Sequence, residues 1–255
     1  VIATVASTVK PSCDLIRTTA QRLGKEVVVQ EYLAAEALDI LMKEKDVDIL
    51  HIAFSSGLSG SFNSCRIAAA DVCEKYPDRR IVVVDSLAAT LGQGLLVYKA
   101  VQLKEAGKNL DEIAAWLEEN KYNLGHNINV DDLFYLHRGG RLSKTAAIVG
   151  TMINLKPVLH VDDEGHLVML SKVRGRKKSL IGLVDCMEKQ LGDWKDKNDI
   201  IFISHGDCPE DAQFVADLIK ERFGYENFMI DYIGATIGAH SGPGTVALFY
   251  MGDHR

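Results

Sequence analysis

The sequence predicts an α/β protein with two α/β domains, a parallel-sheet N-terminal domain over residues 1–150 and a mixed-sheet C-terminal domain over residues 151–255. In the first half, short β-branched runs alternate with amphipathic helical patterns, which indicates a parallel sheet covered on both faces. In the second half, two adjacent strands flank a turn signal, which indicates antiparallel pairing. Two domains in contact leave a cleft, and we expect the ligand between them because ligands commonly bind in such clefts.

The N-terminal elements follow from apolar patterning. Buried strands are predicted at Val47–Phe54 and Arg80–Val84, where apolar β-branched residues dominate. Tyr32–Lys43 places its large apolar residues on one face, which is typical of an amphipathic helix. Asn109 and Glu112 have the spacing of a reciprocal capping pair, which predicts that another helix begins there.

The C-terminal elements begin with a hairpin. Pro157–Val173 has the pattern of two strands around the turn Asp163-Glu164-Gly165. The remaining elements are predicted at Ser179–Leu191 and Glu210–Arg222 for helices, and at Asp199–Ser204, Phe228–Tyr232 and Thr245–Met251 for strands. The join between the domains is expected within Asn123–Leu155.

Composition excludes several classes of function. A formal net charge of -6 gives no general attraction to phosphate backbones, so nucleic acid is not expected as a partner. The five cysteines form no CxxC pair, which is typical of reduced thiols in the cytoplasm. No apolar stretch approaches the roughly 20 residues of a membrane span. We therefore expect a cytoplasmic protein without an integral membrane segment, metal site or cofactor.

The most informative segment is the Ser/Gly loop, residues 55–61, which follows a predicted strand and precedes a predicted helix, Cys65–Tyr76. Backbone N–H groups at a helix N-terminus favour phosphate or carboxylate, and serine hydroxyls add further donors. Its candidate ligand-binding residues are Ser55, Ser56, Gly57, Ser59, Gly60 and Ser61. The alternative is that the two glycines only form a tight turn.

Two segments are similar to known motifs of enzymes, but neither has all the residues that its motif requires. Gly57-Leu58-Ser59-Gly60-Ser61 has serine where a nucleophile elbow requires its last glycine. Gly139–Thr145 has serine before the lysine, where a Walker loop requires glycine. Leu91-Gly92-Gln93-Gly94 lacks dinucleotide-binding spacing and indicates helix packing. We therefore expect no catalysis, with an enzyme that uses Ser56 or Ser59 on a small substrate as the alternative.

Basic and imidazole side chains occur in three further segments. His240, Ser241 and Gly242 lie in a Gly/Pro-rich stretch that predicts a turn, whose glycines allow close backbone approach to a ligand. Candidate residues lining the cleft are Arg138, Arg141 and His205, although bridging and capping roles explain them equally well. The run Lys172–Lys178, with Arg174, Arg176 and Lys177, is a solvated face or a docking surface for an acidic partner.

Taken in order, these segments resemble the DegV family of bacterial fatty-acid-binding proteins. The resembling stretches are SSGLSGSFNS (55–64), VDS followed by LGQGLLV (84–97), DDLFYLHRGGRLS (131–143), NLKPVL (154–159), VRGRKK (173–178), HGD (205–207) and GAHSGPGTVALFY (238–250). They cover most of the chain from Ile49 onward, and it is their order that makes the resemblance specific.

The resemblance implies a DegV-type fold that encloses one long-chain fatty acid and has no catalysis of its own. It places the carboxylate on the Ser/Gly loop, with His240 contacting or orienting the head group. The family's carriers present the fatty acid to a separate ATP-dependent fatty-acid kinase subunit, and the resemblance assigns kinase docking to Arg174 and its neighbours.

The N-terminus departs from the family pattern. After Gln30 the chain continues directly to Glu31, without the loop in which the family places a Thr-Ser-Gln head-group contact. We predict a break in the chain at Gln30–Glu31 or the loss of that loop. A pure interaction module, without an enclosed ligand, is a third interpretation of the whole sequence.

Overall fold

The computed structural model describes residues 34–44, 47–142 and 155–255. Cys13, the predicted break at Gln30–Glu31 and the Ser143–Thr145 part of the Walker-like segment lie outside these residues. The described chain divides into two compact units. The first holds the residues up to Ser86 together with Leu96–Glu119, and the second holds Leu87–Leu95 together with Asn120–Arg255.

In the first unit, two parallel strands pack against helices. Its elements are α1 (Ala34–Glu44), β1 (Ile49–Ala53), α2 (Ser61–Lys75), β2 (Ile81–Asp85), the later part of α3 (Thr90–Glu105) and α4 (Leu110–Asn120). β1 and β2 are parallel, with Ala53 in register with Asp85. Leu38, Met42, Ile49 and Val72 are buried together between α1, β1 and α2, which confirms the apolar face predicted for α1.

The predicted capping pair at the start of α4 is confirmed. The backbone N–H of Asn109 donates to Glu112 Oε2 at 2.9 Å, and the N–H of Glu112 donates to Asn109 Oδ1 at 3.0 Å. The reciprocal bonds satisfy two donors that a helix N-terminus leaves without intrahelical acceptors.

The second unit contains, among the described residues, a six-stranded mixed sheet. Its elements after the first turns of α3 are β3 (Leu124–Asn129), α5 (Leu133–Arg138), β4 (Leu155–Val161), β5 (Leu167–Arg174), α6 (Arg176–Gln190), β6 (Ile201–His205), α7 (Pro209–Phe223), β7 (Phe228–Tyr232), α8 (Ala235–Ser241) and β8 (Val246–Met251). The strand order is β5-β4-β3-β8-β6-β7, and only the β6–β7 pair is parallel. The predicted parallel and mixed sheets are both confirmed.

Helices cover this sheet through a continuous apolar core. Leu183 and Met187 of α6, Val215 of α7, and Leu248 of β8 are buried in one cluster. A Cβ at Gly92 would lie 2.7 Å from a Phe249 ring carbon, so that glycine allows the start of α3 to approach β8. This contact confirms the helix-packing interpretation of Leu91–Gly94.

Among the described elements, β3, α5 and α8 were not predicted from the sequence, and α3 was anticipated only by the helix-packing interpretation of Leu91–Gly94. In β3 three of the six residues, His126, Asn127 and Asn129, are fully buried and polar, so the strand lacks an apolar signature. Because β3 hydrogen-bonds to β8 along its whole length, residues 120–142 belong with the C-terminal unit. This division differs from the expected one at residue 150, which rested on where apolar strand patterns resume.

Candidate functional site

The Ser/Gly loop leaves the carboxyl end of β1 and enters the N-terminus of α2. Its first residue, Ser55, is fully buried and organises the turn. Ser55 Oγ accepts a hydrogen bond from Gly57 N–H at 3.2 Å, and the Ser55 carbonyl accepts from Leu58 and Ser59 at 3.2 and 3.0 Å. The Ser61 N–H donates to Ser59 Oγ at 3.2 Å. Several backbone donors expected to face a ligand are therefore used to hold the loop in shape.

Ser56 and Ser61 carry the hydroxyl groups of this loop that are candidates to bind a ligand. Ser56 is exposed. Ser61 Oγ is buried and has no hydrogen-bond partner among the described residues. Ser61 opens α2, and the first-turn N–H groups of an α-helix have no intrahelical acceptors. The hydroxyls of Ser56 and Ser61 and this helix end are thus the loop's candidate donors.

Asp85 contacts the Ser/Gly loop and was not among the candidate residues predicted from the sequence. The Ser56 N–H donates to Asp85 Oδ1 at 3.1 Å, and Asp85 is 9% exposed. The contact arises because parallel strands β1 and β2 end at the same edge, where Ser86 N–H also donates to the Ala53 carbonyl at 3.1 Å. The available signal was an acidic residue at the end of a parallel strand next to the loop's strand. The Asp85 carboxylate therefore already accepts a hydrogen bond from one backbone donor of the loop, the Ser56 N–H.

In the second unit, His240 and Ser241 form the end of α8, not a turn as predicted. The helix ends at Ser241 because Gly242 follows with φ of 80°, a conformation that glycine adopts readily, and its N–H donates to the Gly238 carbonyl at 2.8 Å. The small residues of 238–244 favour a turn, but such residues are also typical of the C-terminal end of a helix. The predicted turn therefore begins only at Gly242.

His240 packs against the segment that follows α5. A Cβ at Gly139 would lie 2.1 Å from His240 Nδ1, so the ring occupies space that only glycine leaves open. Partial burial lowers the pKa of His240, and the nearby charge of Arg141 lowers it further. Both effects favour the neutral imidazole, which has one donor and one acceptor nitrogen.

Arg138, the last residue of α5, and Arg141, three residues later, are both exposed. The Arg138 guanidinium stacks 4.6 Å from the centroid of the Tyr135 ring. That ring lies against Gly242, where a Cβ would come within 2.6 Å of it. α5 and α8 thus bring both arginines close to the His240–Gly242 segment.

His205 is buried at the carboxyl end of β6. Its Nδ1 accepts a hydrogen bond from the Cys208 N–H at 3.3 Å. The Tyr232 ring packs against the imidazole at a tilt of 52°, with ring centroids 4.5 Å apart. At 3% exposure, His205 supports the fold of this edge more than it lines an open surface.

The three basic residues predicted for docking have different environments. Arg174 and Lys177 are exposed, whereas the Arg176 side chain is only 23% exposed and pairs with Asp211 at 2.7 Å. The candidate ligand residues themselves form two sets, the Ser/Gly loop with Asp85 in the first unit and His240–Gly242 with their neighbours in the second.

Within residues 34–44, 47–142 and 155–255, no group of three or more His, Cys, Asp or Glu side chains is arranged to hold a metal ion. No helix in that part of the chain is long and apolar enough to cross a membrane. Cys65, Cys73, Cys186 and Cys208 are free thiols, as expected.

Comparison with known proteins places these features in a family. A family model described as "Uncharacterised protein, DegV family" matches residues 27–253. The DegV domain-containing protein CPE0026 of Clostridium perfringens is 48% identical over 227 residues, which are 89% of this chain and 77% of that protein.

Solved structures share the fold. The fatty acid binding DegV family protein SAG1342 of Streptococcus agalactiae matches with a TM-score of 0.76 and 27% identity, over 96% of this chain and 84% of that one. The Streptococcus pneumoniae Fatty Acid Kinase (Fak) B3 protein, loaded with linoleic acid, matches with a TM-score of 0.80 and 23% identity, over 94% and 83%. The family model and the 48% identical relative confirm the resemblance found in the motifs: this chain belongs to the DegV family.

Proposed function

We propose that this chain binds one long-chain fatty acid, burying its acyl chain and holding its carboxylate at the Ser/Gly loop. The observation that carries the proposal is the match to SAG1342, described as fatty acid binding, over 96% of this chain. The chemistry of the loop supports it, because hydroxyl groups and a helix N-terminus stabilise a carboxylate.

We assign the hydrogen bonds to the fatty-acid carboxylate to particular donors. Ser56 provides an exposed hydroxyl, and Ser61 provides a buried hydroxyl whose oxygen has no partner among the described residues. Asp85 already accepts the Ser56 N–H, so the side-chain hydroxyls and the first turn of α2 contribute more to binding than the amides of residues 56–59. The neutral His240 donates the second contact, with Ser241 and Gly242 beside it.

The proposed role is that of a carrier without catalysis or cofactor, which presents its fatty acid to an ATP-dependent kinase subunit in the cytoplasm. The shared fold with the Fak B3 protein supports this assignment. The exposed residues Arg174 and Lys177 are the proposed docking contacts, since they offer positive charge to an acidic partner surface.

The test is lipid retention by the whole chain. Native mass spectrometry of the purified protein should show one bound fatty acid, identified after extraction. Ser56→Ala with His240→Ala should release it about tenfold or more faster, since two hydrogen bonds to a charged group are lost. The matched control is Ser64→Ala with His166→Ala, two exposed residues outside the proposed site. Equal retention in all three proteins would overturn the assignment of the head group.

A further inference from the structure

Arg176, the first residue of α6, joins three elements of the second unit through one guanidinium. Its Nε donates to Asp211 Oδ2 at 2.8 Å, in the first turn of α7, and Nη2 lies 2.7 Å from the same oxygen. Nη1 donates to Asn129 Oδ1 at the end of β3. Nη2 also lies 3.8 Å from Cys208 Sγ. A planar fork of donors can serve these acceptors together, which a lysine ammonium cannot do.

Cys208 lies in the turn that follows β6. The Cys208 N–H donates to His205 Nδ1, and its Sγ donates to the Thr245 carbonyl at 3.4 Å. Within this turn Asp207 has φ of 55°, a conformation that costs energy for a residue other than glycine and persists when its surroundings enforce it. The bonds of Cys208 are among those surroundings.

The β6–α7 turn is hydrogen-bonded to the segment that follows α8. Gly206 N–H donates to the Thr245 carbonyl at 2.8 Å, and Gly244 N–H donates to the Gly206 carbonyl at 2.6 Å. Thr245 Oγ1 donates to the carbonyls of Ser241 and Gly242 at 3.0 and 2.9 Å. A Cβ at Gly206 would lie 2.8 Å from the Gly242 carbonyl oxygen, so the two turns are in direct backbone contact.

We infer that Arg176 is a positioning residue for the head-group contacts of α8, acting through Asp211 and the Gly206–Cys208 turn. The inference rests on the proposed function, in which His240–Gly242 contact the fatty acid. It separates Arg176 from its exposed neighbours Arg174 and Lys177. Those residues present charge to a partner, whereas the Arg176 guanidinium is committed to Asp211, Asn129 and Cys208.

The experiment compares Arg176→Gln, Arg176→Lys and Arg174→Gln in the full chain. Residue-resolved hydrogen exchange measures the Gly206, Cys208 and Gly244 amides, and native mass spectrometry measures fatty-acid release. Arg176→Gln should expose these amides and release the lipid, each about tenfold faster, since a charge-assisted bond is lost. Ile203 in the middle of β6 should keep its protection. Arg176→Lys should recover part of both effects, and Arg174→Gln should change neither.

The outcomes separate the inference from the proposed function. Unchanged exchange at Gly206, Cys208 and Gly244 in Arg176→Gln would overturn the positioning role. Faster exchange with unchanged lipid release would overturn its link to the ligand. If Arg176→Gln does not fold, Asp211→Asn provides the same comparison, because it removes the paired charge and keeps the guanidinium. Absence of bound fatty acid in the unaltered protein would instead refute the proposed function, and the exchange measurements would still decide whether Arg176 holds the turn.

Discussion

Gly139 and His240 are in such close contact that a Cβ atom at position 139 would lie 2.1 Å from the imidazole Nδ1. The two residues come from different elements, the end of α5 and the last turn of α8. The orientation of His240 therefore depends on the absence of a side chain at Gly139.

Replacing Gly139 by alanine should displace the His240 ring without changing any proposed ligand contact directly. Overpacking of this kind costs about 1–3 kcal/mol, and the displaced ring should release bound fatty acid as His240→Ala does. Gly234→Ala is the matched control, because nothing lies within 4 Å of its added Cβ. Native mass spectrometry and chemical denaturation measure the two effects. Similar lipid release by the Gly139 and Gly234 variants would contradict this role of Gly139.

Asp85 should contribute to stability through its bond with the Ser56 N–H. Asp85→Ala leaves that donor without its charged acceptor, and we expect the free energy of unfolding to fall by about 1–3 kcal/mol. Asp71, an exposed residue of α2, provides the control when it is changed to alanine. Urea denaturation of both variants measures the difference. Equal stability of the two variants would show that the Asp85 contact contributes little.

Stability should fall on acidification because of His126. Burial, and then the charge of Arg255, holds the pKa of His126 well below its usual value, and the neighbouring His160 lowers it further. Above pH of about 6.5 the side chain is neutral in both the folded and unfolded states. Below it, the unfolded chain binds a proton that the folded state does not, so stability decreases by up to about 1.4 kcal/mol per pH unit.

This pH dependence can be measured as the slope of the unfolding free energy between pH 6.5 and 5. His126→Leu should reduce the slope, whereas His166→Gln, which changes an exposed histidine of the β4–β5 turn, should leave it unchanged. Some slope should remain in His126→Leu, because burial also lowers the pKa of His160. An identical slope in the His126 variant would assign the acid sensitivity to other groups.

Charge reversal should separate lipid binding from use by the kinase. Arg174→Glu with Lys177→Glu should retain the fatty acid and reduce acyl-phosphate formation by the cognate kinase about tenfold or more, since complementary charge speeds association. Lys189→Glu, an exposed change on the same helix α6, is the control. The effect should weaken at high salt, because ions screen exposed charges. Undiminished turnover would remove these residues from the docking surface.

Local patterns were sufficient for much of the fold. The apolar face of α1, the capping pair at Asn109 and Glu112, and the hairpin around Asp163-Glu164-Gly165 depend on residues close in sequence, so their spacing predicts them. In the hairpin, Asp162 Oδ1 accepts from the N–H groups of Glu164 and His166 at 3.0 and 2.8 Å. The ordered family motifs likewise identified the family without the structure.

Long-range contacts decided what the sequence left open. β3 was missed because the partners of its buried amides are distant in sequence: the Asn127 amide donates to the Tyr250 hydroxyl at 2.6 Å and to Gln190 at 3.1 Å. The basic run Lys172–Lys178 looks uniform in sequence. In the structure, the ion pair with Asp211 gives Arg176 an environment different from that of the exposed Lys177.

The sequence by itself determined the family, the Ser/Gly loop and most helices and strands, because each is written in neighbouring residues. Only the tertiary structure decided that Asp85 bonds to the Ser56 amide, that Gly139 makes room for His240 and that Arg176 holds the Cys208 turn. These contacts join residues 29, 101 and 32 positions apart in sequence. Chain folding brings such residues together, and no local pattern encodes their distance.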